Sequence, residues 1–293
     1  MRAAAIQLNS TDDRERNVAR ADRLVHAAAA DGAELIVLPE RFNLLGAAAS
    51  YRQGAETLTG ATITWAREIA RELRVDLVAG SIVERREGHE KLSNTSVHIA
   101  PDGALAGVYR KIHMFDVSVA GRDYRESSVH ERGEEVVLSD ARGAGIGLTV
   151  CYDLRFPELF RILAIRGARV ITLPSAFTKL TGAAHWDVLI RARAIENQVF
   201  VVAADQIGTH PPGDESFGGS QIVGPWGEVL ARAPDEECFV TADLDLDHQD
   251  EVRSSLPSLA NRVPSAYHWP DQGATATPSD RAPVAVAATG TTR

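Results

Sequence analysis

The chain has 293 residues, enough for one large α/β domain or two ordinary ones. Its 31 Lys plus Arg residues against 40 Asp plus Glu residues give a net charge of −9, which argues against a broad basic face for nucleic acid or an anionic membrane surface. The N-terminus does not resemble a signal peptide, and no apolar stretch approaches the ~18 residues of a membrane span. We therefore expect a cytoplasmic protein without nucleic-acid or membrane partners.

The chain contains two cysteines, Cys151 and Cys238. Two are too few for a disulfide scaffold, and a cytoplasmic compartment disfavours a bridge between them. No group of Cys and His residues has the spacing of a zinc site. We expect two free thiols and no metal.

Short aliphatic runs alternate with helical patterns in the first half of the chain. The predicted order is strand 3–8, helix 12–31, strand 34–38, helix 63–74, strand 76–83 and a hairpin of strands 92–100 and 104–109. The hairpin turn is Pro101-Asp102-Gly103, whose residue types favour a tight turn.

The second half repeats this alternation. The predicted order is strand 145–150, helix 157–166, strand 168–173, helix 183–197, strand 199–204, hairpin 220–223 with 228–231, strand 239–244 and helix 248–255. The pattern predicts an α/β fold of two mixed sheets packed face to face, with helices outside. Residues 271–293 are rich in Ala, Thr and Pro and lack bulky core residues, so we expect a domain over 1–270 and a disordered tail.

Cys151 directly follows the predicted strand 145–150 and precedes a turn into a helix. A thiol there is presented at the carboxyl edge of a sheet, near the N–H groups of the turn. Such N–H groups lower a thiol's pKa and hold an oxyanion, so Cys151 is a candidate nucleophile. The other interpretation is a small buried core residue, as most free cysteines are.

A carboxylate and an ammonium also stand at strand ends. Glu40 follows the buried strand 34–38 after Pro39 and is a candidate base. Lys111 ends the predicted hairpin among aromatic and aliphatic residues, where its charge can stabilise an oxyanion. Taken singly, each fits an ordinary surface charge better. Together with Cys151 they form a set of thiol, carboxylate and ammonium.

Three sequence blocks that contain these residues resemble the signature blocks of the nitrilase (carbon–nitrogen hydrolase) superfamily. They are LPE at 38–40, YRKIHMF at 109–115 and GLTVCYDLRFPE at 147–158. The resemblance continues through PSAFT at 174–178, AHW at 184–186, RARAIENQ at 191–198 and PWGE at 225–228. It covers roughly residues 1–268, and the later blocks look most like the Nit-type amidases.

The resemblance implies a four-layer α-β-β-α sandwich, which is usually dimerised through its outer helices. It also implies a catalytic triad of Glu40, Lys111 and Cys151, with Glu126 as a second glutamate of the site. In this mechanism Cys151 forms a thioester, an amide is hydrolysed to ammonia and a carboxylic acid, and no metal or organic cofactor takes part. Lys111 and the Tyr152 N–H would hold the oxyanion.

For the substrate, the resemblance implies a small linear amide, either an ω-amide of a dicarboxylic acid or deaminated glutathione. Arg155 and Arg193 are candidates for a substrate carboxylate, although an internal ion pair fits each arginine better. The family also places four residues of the later blocks around its pocket, namely Phe177, Thr178, His185 and Trp186. The last two fit helix capping and packing equally well.

The sequence departs from the family pattern in two loops. Ser118-Val119-Ala120-Gly121 lacks the usual Asp and Pro before the glycine, and the stretch from Lys111 to Glu126 is slightly short. The segment FGGS at 217–220 replaces a Tyr-Gly-His-Ser type. Because such loops shape the pocket, these changes bear on the substrate and not on the triad.

Several other functions stay open at this point. A nitrilase or an N-carbamoyl hydrolase would use the same triad, and an acyltransferase would pass the thioester to an amine. A Cys–His site would recruit one of the nine histidines, but none lies in a recognisable partner motif. A non-catalytic interaction module on the same scaffold is the alternative outside the enzyme class.

Overall fold

A computed structural model describes residues 1–119 and 121–267. Within them, none of the helices is long and apolar enough to cross a membrane. The helices are α1 Arg14–Ala30, α2 Ala48–Gly54, α3 Ala61–Leu73, α4 Pro157–Ile165, α5 Lys179–Asn197 and α6 Leu246–Ser255.

The strands of the first half of the chain are β1 Arg2–Gln7, β2 Leu35–Val37, β3 Asp76–Val78, β4 Ile82–Glu84, β5 Ser93–Ile99, β6 Leu105–Arg110, β7 Asp116–Val119 and β8 Arg122–Arg125. Those of the second half are β9 Leu138–Ala141, β10 Ala144–Leu148, β11 Ala168–Ser175, β12 Phe200–Asp205, β13 Ile207–His210, β14 Asp214–Phe217, β15 Gln221–Val223, β16 Val229–Arg232 and β17 Cys238–Asp243.

Two large mixed sheets form the centre of the fold, which confirms the predicted architecture. The first has the order β17-β1-β2-β3-β5-β4, with β6 paired to β5, and the second has the order β16-β15-β12-β11-β10-β9. Strands β1, β2 and β3 run parallel to one another, as do β10, β11 and β12, while the remaining pairs are antiparallel. Each half of the chain therefore builds most of one sheet.

Strand β1 shows how the layers are packed. Successive side chains of a strand point to opposite faces of its sheet. Ala3 and Ala5 belong to the apolar core shared with the second sheet, whereas Ala4 and Ile6 pack in the core that contains residues of α1 and α3. Because both faces of β1 are covered, its central residues 3–6 are apolar without alternation.

The predicted strand 76–83 is divided in the structure into β3 and β4. Gly80 lies between them with φ +45°, a backbone conformation that favours glycine. A Cβ atom at this position would collide with the carbonyl oxygen of Pro39. The close approach of Gly80 therefore packs the chain directly against the segment that carries Glu40.

Helix α2 and two small hairpins were not predicted from the sequence. The hairpins are β7–β8 and β13–β14, and most of their residues are partly or fully exposed, so they lack the apolar pattern of a core strand. They are joined by an ion pair between Arg122 and Asp214, with 3.2 Å between the charged atoms. Both hairpins contribute residues to the cavity described below.

The chain divides into two compact units, 1–259 and 260–293. The described part of the second unit contains one 3₁₀ turn, Pro264–Ala266. The predicted tail, 271–293, lies outside the described residues, so the domain boundary at residue 270 stays a prediction.

Candidate active site

The three residues of the predicted triad are buried close to the ends of their strands. Glu40 follows β2, Lys111 follows β6, and Cys151 follows β10. Glu40 and Lys111 are each 2% exposed and Cys151 is 8% exposed. Buried charges need partners, so the contacts of the two charged side chains define the site.

Glu40 is held by donors from three segments. Its Oε1 accepts hydrogen bonds from Asn94 Nδ2 at 2.7 Å and Lys111 Nζ at 3.1 Å. Its Oε2 accepts one from the backbone N–H of Ala176 at 2.9 Å. Ala176 directly follows β11 of the second sheet, whereas Glu40 follows β2 of the first sheet. A backbone donor from the second sheet therefore holds the Glu40 carboxylate in place.

Glu126 forms the other half of the charged cluster. Its Oε2 accepts hydrogen bonds from Lys111 Nζ and from the Phe115 N–H, both at 2.8 Å. Its Oε1 accepts from Arg41 Nη2 at 2.6 Å and from Asn94 Nδ2 at 3.1 Å. Lys111 therefore bridges the two carboxylates, and Asn94 donates to both of them.

The formal charges of this cluster cancel. Two carboxylates, Glu40 and Glu126, face two cations, Lys111 and Arg41. Burial alone would lower the pKa of Lys111, but Glu126 and Glu40 outweigh it and raise that pKa. Burial alone would raise the pKa of Glu126, but Lys111 and Arg41 hold it below its usual value. Both groups are therefore charged at neutral pH.

Cys151 lies at a strained turn. Its φ is +49°, which places a non-glycine residue in the left-handed region, and it opens a 3₁₀ helix over Cys151–Arg155. The carboxylate of Asp153 holds this turn, because it accepts hydrogen bonds from the Val150 N–H at 2.8 Å and from Tyr109 Oη at 2.7 Å. The turn directs the thiol into the cavity.

We expected the N–H groups of the turn to lower the pKa of Cys151, but the environment of the thiol does not lower it. Burial raises the pKa of the thiol well above its usual value, and the nearby Glu40 carboxylate adds to the rise. Lys111 and the Ala176 N–H act in the opposite direction but do not outweigh burial. The resting thiol is therefore protonated and needs a base before it can attack.

A cavity of about 400 Å³ opens over the cluster. Of the residues predicted around the substrate, Tyr152, Arg155, Phe177 and Thr178 line it. His185 is exposed on α5 and lies within hydrogen-bond distance of Arg155, with 3.2 Å between His185 Nδ1 and Arg155 Nη1. Trp186 is fully buried, packs on Phe177 and donates to the Gly219 carbonyl oxygen. Neither His185 nor Trp186 lines the cavity.

The two candidate arginines differ in their surroundings. Arg193 is buried, donates to the Leu154 carbonyl oxygen and pairs with Glu196, each at 2.9 Å. Arg155 lies over the Phe177 ring, with 5.0 Å between its Cζ and the ring centroid. In the described part of the chain, no carboxylate lies within 4.0 Å of the Arg155 guanidinium. Of these two arginines, Arg155 is therefore the one whose guanidinium is available to an anionic ligand.

Sequence reasoning missed Asn94 and Arg41, although both carry a signal. Asn94 occupies a fully buried strand, where a polar side chain needs partners. Arg41 adjoins Glu40 and has φ +52°. Both cysteines are unpaired, and residues 1–119 and 121–267 contain no group of three metal-ligating side chains.

A family model described as carbon-nitrogen hydrolase matches residues 2–254. The chain belongs to the carbon–nitrogen hydrolase family. It is 39% identical over 267 residues to omega-amidase NIT2 of Homo sapiens, covering 91% of this chain and 96% of that protein. It is also 39% identical over 266 residues to the deaminated glutathione amidase of Synechocystis sp. (strain PCC 6803 / GT-S), covering 89% and 97%.

Solved structures of this family share the fold. The crystal structure of the C. elegans NitFhit protein has a TM-score of 0.84 at 33% identity, over 91% of this chain and 66% of that chain. A glutamate-to-glutamine mutant of the amidase from Nesterenkonia sp. AN1, with the acetamide moiety of fluoroacetamide covalently added at its active-site cysteine, has a TM-score of 0.78 at 26% identity, over 91% of this chain and 95% of that chain. This carbon–nitrogen hydrolase is accordingly an enzyme of the amidase type.

Proposed function

We propose that this carbon–nitrogen hydrolase cleaves a small linear amide that carries a distal carboxylate, an ω-amide or a compound like deaminated glutathione. The observation that carries the proposal is the buried cluster in which Lys111 joins Glu40 and Glu126 beside the Cys151 thiol. The names of the two relatives support the substrate class. Hydrolysis of a primary ω-amide releases the acid product and ammonia, and hydrolysis of a compound like deaminated glutathione releases the acid product and the amine of its leaving group.

In the proposed acylation step, Glu40 takes the proton of the Cys151 thiol and the sulfur attacks the amide carbonyl carbon. The oxyanion forms between the Lys111 ammonium and the Tyr152 backbone N–H. Glu40 then gives its proton to the amide nitrogen, the carbon–nitrogen bond breaks, and ammonia leaves. The acyl group remains on Cys151 as a thioester.

In the proposed deacylation step, Glu40 takes a proton from water, and the resulting hydroxide adds to the thioester carbon. The carbon–sulfur bond breaks, the acid is released, and Glu40 returns the proton to the thiolate. Glu126 positions Lys111, since its carboxylate holds the ammonium 2.8 Å away.

We propose that Arg155 binds the distal carboxylate of the substrate. Arg155→Gln is expected to raise the KM for succinamate about 10- to 100-fold, the usual worth of a hydrogen-bonded charge, with a smaller change in kcat. Butyramide, which has no carboxylate, serves as the matched substrate and should show no comparable change. An equal loss on both substrates would assign Arg155 a structural role instead.

A hydrolysis screen tests the substrate class, with ammonia release as the readout for primary amides and nitriles and the acid product as the readout for every substrate. The panel contains succinamate, other short ω-amides, deaminated glutathione, N-carbamoyl amino acids and simple nitriles, and liquid chromatography detects the acid products. We expect turnover of the carboxylate-bearing amides to exceed that of nitriles and carbamoyl compounds. Preferential hydrolysis of a nitrile or a carbamoyl compound by the same protein would reject the amide assignment.

We propose that the protein forms a homodimer or a larger even-numbered oligomer through the outer faces of α4 and α5. Both helices expose apolar side chains, among them Ile162 and Ile165 of α4 and Val188 and Ile195 of α5. Val188→Glu is expected to shift the sedimentation coefficient to that of a 31.6 kDa monomer, because it places a charge in a paired apolar face. The control Leu105→Glu changes an exposed residue of β6 and should leave the assembly intact. A wild-type monomer would contradict the proposal.

We also propose a cytoplasmic location. The mechanism requires a reduced thiol at Cys151, and cytoplasmic thiols are kept reduced.

A further inference from the structure

Asp205 is a fully buried residue that the proposed reaction steps do not use. It ends β12, which runs parallel to β11, and it lies opposite Ser175, the last residue of β11. The segment that follows β11, Ala176 and Phe177, therefore starts beside Asp205. A buried carboxyl group needs hydrogen-bond partners, so the partners of Asp205 show which parts of the site it holds.

Both carboxyl oxygens of Asp205 accept hydrogen bonds from backbone N–H groups of two loops. Oδ1 accepts from the Phe177 N–H at 2.9 Å, and Oδ2 accepts from the Gly218 N–H at 3.1 Å. Gly218 belongs to the segment FGGS at 217–220, which departs from the family pattern. The two loops also meet directly, because the Phe217 N–H donates to the Phe177 carbonyl oxygen at 2.8 Å. The Phe177 backbone is therefore held at its N–H by Asp205 and at its carbonyl oxygen by Phe217.

The Phe177 backbone is one residue away from a donor that holds the general base of the proposed mechanism. That donor is the Ala176 N–H, which lies 2.9 Å from Glu40 Oε2. The N–H groups of Ala176 and Phe177 belong to consecutive planar peptide units, so fixing one restricts the orientation of the other. Asp205 therefore limits how far the Ala176 N–H can turn away from the Glu40 carboxylate.

The Phe177 side chain connects Asp205 to the arginine that we propose for the substrate carboxylate. The Phe177 ring packs on Trp186, with 5.1 Å between the ring centroids, and lies under the Arg155 guanidinium, with 5.0 Å from Cζ to the centroid. Phe177 and Arg155 both line the cavity. Asp205 does not line it, so an effect of Asp205 on the reaction has to pass through the segment 176–177.

A carboxyl group at this position is costly for the fold. Burial raises the pKa of Asp205 well above its usual value, and the nearby Glu40 carboxylate adds to the rise. The N–H groups of Phe177 and Gly218 act in the opposite direction but do not outweigh burial. Groups that cost stability are typical of functional sites, where the cost is tolerated for the sake of activity.

We propose that Asp205 is a positioning residue that fixes the peptide segment 176–177 for amide hydrolysis. Through this segment it keeps a backbone donor on the Glu40 base and an aromatic ring under the Arg155 guanidinium. This inference rests on the proposed function, in which Glu40 transfers the protons and Arg155 binds the distal carboxylate. A single buried side chain thereby connects the base of the reaction with the group that recognises the substrate.

The test compares Asp205→Ala with the wild type on succinamate, butyramide and the best substrate of the screen. We expect kcat per folded protein to fall about 10- to 100-fold on each of them, the usual effect of a misplaced reacting group. The KM for succinamate should rise about 3- to 10-fold, the usual worth of one hydrogen bond, because the ring under Arg155 has lost its support. The KM for butyramide should change little. Circular dichroism and a urea titration give the folded fraction, and partial unfolding alone would leave both KM values unchanged.

Asp205→Asn is the rescue variant. Its side-chain oxygen accepts from the Phe177 N–H, and the Gly218 N–H keeps a second acceptor, the Gln206 carbonyl oxygen at 3.0 Å. We expect it to regain most of the kcat that the alanine variant loses. If the alanine variant does not fold, Asp205→Ser takes its place, because its side chain is one bond shorter and meets the Phe177 N–H only through water.

Asp76→Ala is the matched control. Asp76 also carries a buried carboxyl group, which is 3.1 Å from His98 Nε2, but it begins β3 and does not line the cavity. Its removal tests whether the loss of any buried carboxyl group lowers the rate. We expect kcat per folded protein and both KM values to stay at the wild-type level.

Wild-type kcat in folded Asp205→Ala or Asp205→Ser would overturn the inference and leave the proposed function intact. An equal loss in the asparagine and alanine variants, or the same loss in Asp76→Ala, would overturn it as well. A wild-type protein that hydrolyses another substrate of the screen but neither succinamate nor butyramide would reject the proposed substrate class, and kcat on that other substrate would then decide the role of Asp205. A wild-type protein that hydrolyses nothing in the screen would count against the proposed function and the inference together.

Discussion

Cys151→Ala is expected to abolish amide hydrolysis, with a loss on the order of 10⁶-fold in kcat, the size seen when a nucleophile that acts within a triad is removed. The reason is that the remaining groups cannot form a covalent acyl intermediate. Cys151→Ser should be similarly inactive, because a serine hydroxyl cannot form the thioester intermediate. Steady-state kinetics with the best substrate of the screen measures the loss, and circular dichroism verifies the fold.

The chain offers its own control for this prediction. Cys238 begins β17 on the edge of the first sheet and does not line the cavity. Cys238→Ala should retain most of the wild-type rate. Mass spectrometry after rapid acid quenching should find the acyl adduct on Cys151 alone. Substantial turnover by Cys151→Ala would remove this thiol from the mechanism.

Glu40→Gln and Lys111→Met are expected to lower kcat/KM by about 10² and about 10²–10³, the usual effects of a lost general base and a lost oxyanion partner. The resting thiol is protonated, because burial and Glu40 raise the pKa of Cys151. A base is therefore required at every turnover. Since both residues serve the same step, the two losses should not multiply in the double variant.

The variant that carries both Glu40→Gln and Lys111→Met tests the charge balance of the cluster. Lys111→Met leaves Glu40 and Glu126 with Arg41 as the remaining cation of the cluster, and an uncompensated buried carboxylate destabilises a protein. The double variant removes one charge of each sign and keeps the cluster neutral. We expect its urea midpoint to lie above that of Lys111→Met. Folded single variants with near-normal turnover would show that the triad assignment is wrong.

Much of the fold follows from local sequence pattern. Strands that are covered on both faces are mostly apolar without alternation, as residues 3–6 of β1 and residues 170–171 of β11 show. Helix α1 begins at Arg14, two residues later than the pattern indicates, because the carboxylate of Asp13 caps it by accepting from the Arg16 N–H at 3.0 Å. Boundaries shift in this way while the elements stay in place.

Several parts of the fold that pattern did not show contribute to the cavity wall. Helix α2 carries Tyr51, and the hairpin β13–β14 ends β13 at His210; both residues line the cavity. Such elements bury few apolar side chains, so hydrophobic periodicity gives little signal for them. The substrate pocket was accordingly harder to predict than the scaffold.

By itself, the sequence determined the α/β architecture and the positions of Glu40, Lys111 and Cys151 after strands, since strand periodicity is a local property. Their grouping as a triad was implied by the family resemblance and not by periodicity. The tertiary structure alone decided which polar groups surround them. Asn94 reaches Glu40 across 54 positions of the chain, and the Ala176 N–H reaches it across 136. The first contact depends on the strand order of the first sheet, and the second depends on how the two sheets pack. Burial then makes each contact obligatory, because a charged group removed from water must find its partners within the fold.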